Sequence, residues 1–179
     1  MADEPFGFRA EGDAQRIGVE AIGEPGDRRF RLLAIIDGET QIVWMEKQQV
    51  QALGMALEQV LEQLPEGATL DASPNVPLEF DVETHFQFRA GRMELGFDEH
   101  HDRLVIIAHD IDSEADVPRL TCRISMEQAR SFAQDAAAVI SAGRPLCPLC
   151  GAPMGPGPHT CPQQNGHLPV TDEADDDSA

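Results

Sequence analysis

Twice in this chain a run of alternating side chains passes directly into a helical period. In RRFRLLAII, Phe30, Leu32, Ala34 and Ile36 alternate with Arg31, Leu33 and Ile35; DGET turns the chain and QIVWM brings it back. A period of two closed by a Gly-bearing turn is the pattern of a hairpin with a buried face. From Glu46 the period changes. Val50, Leu53, Leu57, Val60, Leu61 and Leu64 share one helical face until Pro65 stops it. Upstream, RIGVEAIGEPGD reads as a further strand ending in a Gly/Pro turn. Three strands and one helix make a half-covered sheet that is marginal alone.

The second half repeats the order. RMELGFDEHHDRLVIIAHD aligns with VEAIGEPGDRRFRLLAIID at a spacing of 73, which sets Gly96 on Gly23, Val105 on Leu32 and Asp110 on Asp37. After the longer DIDSEADVPR hairpin the spacing becomes 79, and Phe132, Val139 and Ile140 fall on Leu53, Val60 and Leu61. Ser125 and Gln128 form a capping box for the second helix, and Glu46 takes the same place in the first, where its charge suits the helix dipole. The expected fold class is α+β. Duplicated strand-strand-strand-helix units with antiparallel sheets, 15–64 and 85–142, are related by a pseudo-two-fold, each helix packed on its own strands. A partly disordered arm (1–14) precedes them and a Pro-bearing linker (65–84) joins them. A short zinc-knuckle-like segment (143–170) and a disordered acidic tail (171–179) follow.

That knuckle holds three of the four cysteines in CPLCGAPMGPGPHTCP, with six prolines between 145 and 162. Such a stretch cannot bury enough to order itself, and a metal supplies the missing free energy. Cys147-Pro-Leu-Cys150-Gly151 has the spacing at which two thiolates of one tight turn meet one ion, the glycine allowing the backbone to turn its amides toward sulfur. Cys161 adds a third sulfur. The fourth ligand is His159, through a short H-x-C turn, or His167, through a looser one. Three sulfurs and one imidazole close the site of a structural Zn2+.

The charge narrows the partners. There are 32 acids against 13 bases, a net charge of −19, and Lys47 is the only lysine. Such a field repels phosphate backbones. The segment 144–170 offers one arginine and no Phe, Tyr or Trp, so it can neither neutralise nor stack on nucleic acid. No apolar run is long enough for a membrane span, and the acidic N-terminus has no signal-peptide pattern. Thiols at metal spacing suit a reducing cytoplasm. The remaining candidates read as structure. His100-His101 in GFDEHHDR and the GEPGDR stretch are exposed turns, His85 and His109 sit on strands, and Cys122 is a small buried hydrophobe.

GEPGDRRFRL, WMEKQQVQAL, SMEQARSFA and AGRPLCPLCGAPMGPGPHTCPQQNGH together resemble an uncharacterised actinobacterial family, domain of unknown function 3090, over about residues 8–167. Its C-terminal pattern, C-P-x-C-G followed by G-x-H-x-C-P-x-x-N-G, matches at Cys147, Cys150, His159 and Cys161, with Asn165 and Gly166. The resemblance therefore implies His159 as the fourth ligand. The family's E-K-x-Q-V segment matches Glu46, Lys47, Gln49 and Val50. The resemblance also implies a cytoplasmic location and neighbouring genes for a histidine-phosphatase-like and a kinase-like protein. The expected function is that of a zinc-binding, non-enzymatic interaction or adaptor protein with a protein partner and no assigned catalytic or cofactor-binding residue. The alternative is an enzyme with its site in the groove between the two units, using Glu46 and Lys47.

Overall fold

A computed structural model of the chain describes residues 8–24, 26–65, 71–143, 146–152, 154–155 and 158–164. Its contacts divide it into two units, Met1–Gly143 and Arg144–Ala179. The first unit runs β1 (Ala10–Ile22), β2 (Arg29–Ile36), β3 (Glu39–Met45), α1 (Lys47–Gln63), β4 (Gln87–Asp98), β5 (Arg103–Asp110), β6 (Leu120–Ile124) and α2 (Met126–Ser141). The class is α+β, and the order strand-strand-strand-helix occurs twice.

The strands form one sheet rather than two. Each antiparallel meander leaves two free edges, and parallel pairing removes them. Ile42–Trp44 of β3 pair with Gln87–Arg89 of β4, and Ala10–Asp13 of β1 pair with Leu120–Arg123 of β6. The result is a closed six-stranded mixed barrel, joined at these two short parallel seams. Residues 10–14, expected in an N-terminal arm, are the strand segment that closes it. Phe30, Leu32, Ala34, Val43, Leu104, Ile106, Cys122 and Ile124 point inward and share one core with Val50, Leu53 and Leu57 of α1 and Ala129, Phe132 and Ala136 of α2. Cys122 lies fully inside, and burial pushes its thiol up to about 12.

Register corrects the expected alignment of the two halves. Phe30 pairs with Met45, the residue before the α1 cap, and Leu104 pairs with Ile124, the residue before the α2 cap. Leu32 therefore stands where Ile106 stands, both fully buried, whereas Val105 is only half-buried. The spacing here is 74. A slip of one residue moves a strand's side chains to the opposite face, which is why 73 fails. Gly23 likewise lies in the turn after β1, whereas Gly96 is inside β4. Lys47 and Met126, each first in its helix, stand 79 residues apart.

The helices rest less on their own strands than on each other and across the barrel. They pack on each other, closely enough that a Cβ on Gly54 would lie 3.1 Å from that of Ala136. Among the strands, α2 contacts chiefly β1, and α1 contacts β4 as well as β2. Each helix is pinned across the barrel by the glutamine of its first turn. The Gln49 side chain accepts from the Glu46 amide (2.8 Å) and donates to the carbonyls of Ala90 (3.2 Å) and Gly91 (2.9 Å), where β4 has a register shift. The Gln128 side chain accepts from the Ser125 amide (2.9 Å) and donates to the carbonyl of Ala14 (2.8 Å), where β1 has its shift. Bulges leave carbonyls outside the ladder, and the two amides satisfy them.

The described part of the linker, 71–84, is a strap packed on the barrel. Asn75 acts as an extra rung on β1, its side chain accepting from the Ile17 amide (2.9 Å) and donating to the Ile17 carbonyl (3.1 Å). Gly18 leaves room for Phe80, whose ring would meet a Cβ there at 3.3 Å. The Asp81 amide donates to the Thr40 hydroxyl (2.9 Å). With Leu33 beside Val76 and Phe80, β2 is buried on both faces, and its nearly unbroken apolar run is accounted for.

At the strap's start, the Asp71 carboxylate accepts from the Ser73 hydroxyl (2.5 Å) and amide (2.8 Å) and from Arg103 (2.5 Å). The Ser73 hydroxyl and amide, then Arg103, hold it at about 2, below its ordinary 3.8. A carboxyl depressed in the folded state contributes stability above its unfolded value, and that contribution fades as pH falls from about 4 to 2. Replacing Asp71 by Asn should cost about 1 kcal/mol at neutral pH, given its partial exposure, and flatten the acid limb of stability over that window. Urea unfolding at pH 7, 4 and 2.5 measures this. An unchanged acid limb would refute the assignment.

Candidate metal centre

In the second unit, Cys147 opens a turn closed at its base by two backbone bonds. The Gly151 amide donates to the Cys147 carbonyl (2.8 Å) and the Cys147 amide to the Ala152 carbonyl (2.8 Å). Gly151 takes φ 69°, a conformation costly for any residue with a Cβ. The turn brings Cys147 and Cys150 together and aims amides at sulfur. Those of Cys150 and Leu149 draw the Cys147 thiol down to about 6. The Ala152 amide draws Cys150 down too, but burial and the Cys147 and Cys161 sulfurs outweigh it and hold that thiol above its ordinary value.

His159 and Cys161 complete the group, and the Gln164 amide donates to the Cys161 carbonyl (3.0 Å) just beyond. The four donor atoms lie within 4.8 Å of one another. Cys147 and Cys161 sulfurs are 3.8 Å apart, and the Cys150 sulfur is 3.3 Å from His159 Nε2. Sulfurs at that distance are not bonded, and all four cysteines of the chain are free thiols. Two sulfurs about 2.3 Å from the centre of a tetrahedron stand about 3.8 Å apart, so the spacing fits a four-coordinate ion. Cys147 and Cys161 are buried, while Cys150 and His159 are partly accessible. Three thiols and an imidazole are a soft donor set, and the cluster can bind a metal ion. His167, Asn165 and Gly166 lie outside the described residues.

One family profile, described as "Protein of unknown function (DUF3090)", matches residues 11–161. The chain belongs to the DUF3090 family. The match begins at the second residue of β1 and ends on Cys161, so it takes in the barrel and the cluster together. No curated protein and no solved structure matches the DUF3090 chain.

The other candidates fall elsewhere. Glu46 caps α1 and Lys47 is its first residue, both exposed. Among the described residues, clefts of about 230, 420 and 520 Å³ open on the Met1–Gly143 unit, and neither Glu46 nor Lys47 lines these. His100 and His101 form the β4–β5 turn, where Asp98 accepts from both amides and contacts the His101 ring at 2.8 Å. Residues 23, 24 and 26–28 of the GEPGDR stretch lie between β1 and β2, tight enough that a Cβ on Gly23 would meet the Asp27 carbonyl at 2.6 Å. His85 is not on a strand; it lies in the loop before β4, against Phe86. His109 is on β5 and buried, with Nε2 3.2 Å from Glu94 and 3.1 Å from Arg92. Arg92 also holds Asp116 at 2.8 Å, tying the β5–β6 loop to the barrel, a network with no signal in strand alternation. No described helix is long and apolar enough to cross a membrane.

Proposed function

We propose that this DUF3090 protein is a non-enzymatic, zinc-stabilised interaction protein of the cytoplasm. Cys147, Cys150, His159 and Cys161 hold one structural Zn2+ that orders the C-terminal unit, and the barrel serves as a rigid platform for a protein partner. The convergence of all four donor atoms within 4.8 Å carries the reading. With four protein ligands a zinc has no open position for water or substrate, so its contribution is to folding. The charge of −19 favours a protein partner over nucleic acid. The reciprocal pinning of the helices by Gln49 and Gln128 at matching bulges supports descent of the barrel from a duplicated unit.

The test is affinity purification of the full chain from its native host, with and without chelator, alongside gel shifts on duplex and single-stranded DNA. A stoichiometric protein partner and unshifted nucleic acid are expected; histidine-phosphatase-like and kinase-like proteins are the first candidates. Turnover of a small substrate by the barrel, or saturable nucleic-acid binding at low micromolar concentration and moderate salt, would refute the reading.

A further inference from the structure

On the outer side of the helix pair, one row from each helix borders a trough. Gln51, Gly54, Met55 and Glu58 are an i, i+3, i+4, i+7 row of α1, and Ala133, Ala136, Ala137 and Ile140 are the same row of α2. Gly54, Ala133 and Ala136 are buried and make the floor of a cleft of about 230 Å³. Met55 stands beside it, 61% exposed, while Val50, Leu53 and Leu57 of the same helix are inside. Through Glu58 and Ala133 the trough continues into a second cleft of about 420 Å³, lined also by Leu61, Glu62 and Arg130.

A second, independent feature lies on this surface. Beyond its capping Glu46, the charges of α1 run against the helix dipole. Lys47 is its first residue, and Glu58 and Glu62 fall in its last turns, with no base there. Acids at a helix C-terminus are unfavourable, and two of them four residues apart repel. Neither takes part in an ion pair among the described residues. Both are exposed and either could be Gln or Lys without touching the core. A local rule broken at a surface cleft, with no compensating ion pair among the described residues, marks a place where a ligand supplies it.

We infer that the α1–α2 trough is the docking surface for a basic amphipathic helix of a protein partner, apolar side chains entering between Met55 and Ile140 and lysines or arginines reaching Glu58 and Glu62. The matched helical rows suit a third helix. A second copy of this chain is the wrong occupant, since it brings its own −19 and the same two glutamates against a lone Arg130. The inference names the surface and partner chemistry for the interaction role proposed above and rests on that reading.

The test uses the full chain and a fluorescent 18-residue Lys/Leu peptide with helical patterning, a scrambled peptide of the same composition, and a Glu/Leu analogue. The patterned basic peptide should bind at least tenfold tighter than either control. Ala137→Gln, which fills the trough, should weaken it at least tenfold; Ala138→Gln, exposed one residue on and outside the cleft, should change it less than twofold. Glu58→Gln with Glu62→Gln should weaken binding several-fold while leaving the melting temperature equal or higher. Equal effects of the two alanine variants, equal binding of the scrambled peptide, no binding, or a destabilised glutamate double variant would each overturn the proposal. Its failure leaves the co-purification experiment intact, because that experiment detects a partner wherever it docks.

Discussion

His159→Ala, purified from zinc-supplemented culture, should carry far less than one zinc per chain, and Cys147→Ser should match it, whereas His167→Ala should retain its full complement. The wild-type site presents four donors already within 4.8 Å of one another, so losing one leaves an incomplete shell. Removing only a hydrogen-bonded neighbour of a ligand weakens metal sites roughly 10–100-fold, and removing a ligand exceeds that. Binding should also weaken as pH falls, because the thiols and imidazole must be deprotonated to bind. Chelation of the wild type should unfold the knuckle and leave the thermal transition of the barrel within a few degrees of its starting value. Zinc content by mass spectrometry, and far-UV circular dichroism with and without chelator, decide it. Loss of zinc in the His167 variant alone would reassign the fourth ligand; full zinc in both histidine variants, or global unfolding on chelation, would sink the structural role.

The largest effect within the barrel is expected from Gln128→Ala. This side chain is 2% exposed. It accepts from the Ser125 amide, donates to the Ala14 carbonyl and reaches Asn75 Oδ1 at 3.2 Å. Truncation strands a buried donor and a buried acceptor and opens a hole beside the strap. Each unsatisfied group costs about 1–3 kcal/mol, so a loss of about 3–4 kcal/mol is expected. Gln49→Ala, at the more accessible counterpart, should cost about 1 kcal/mol, since water can replace the lost partners. Chemical denaturation of both variants measures the difference, and equal losses would refute the burial argument.

Much of this architecture is legible locally. The change from period two to a helical period at Glu46 and Ser125 marks both helix starts, because capping and amphipathicity act within a few residues. Cys147, Cys150 and Cys161 are likewise marked by spacing, as a tight turn needs only its own residues, whereas His159 stands apart from His167 only through the family pattern. What escapes are relations between distant segments. Nothing in Ala10–Asp13 names Leu120–Arg123 as a neighbour, and Ile42–Trp44 carry no mark of Gln87–Arg89. The strap reads as a linker because Asn75, Pro77 and Phe80 have no period, although Asn75 is bonded like a strand residue. The unit spacing of 73 in place of 74 arises because Leu32 aligns as well with Val105 as with Ile106 when only hydrophobicity is weighed. Only the pairing of Leu104 with Ile124 separates them.

The pairing of β1 with β6 sets a timetable for synthesis. The first strand made is closed by the last, some 110 residues later. At roughly 5–20 residues per second, the free edge of β1 waits on the order of 5–20 s on the ribosome before its partner emerges. Through that interval the nascent chain exposes an open strand and the apolar interior of a half-barrel. Glu11 and Asp13 lie on that waiting edge, where charge discourages pairing with another chain. In the finished fold Asp13 is taken up by Arg123 at 2.7 Å, whereas Glu11 takes part in no ion pair among the described residues. A variant that neutralises Glu11 should therefore be harmed in its yield from the cell more than in its stability once made.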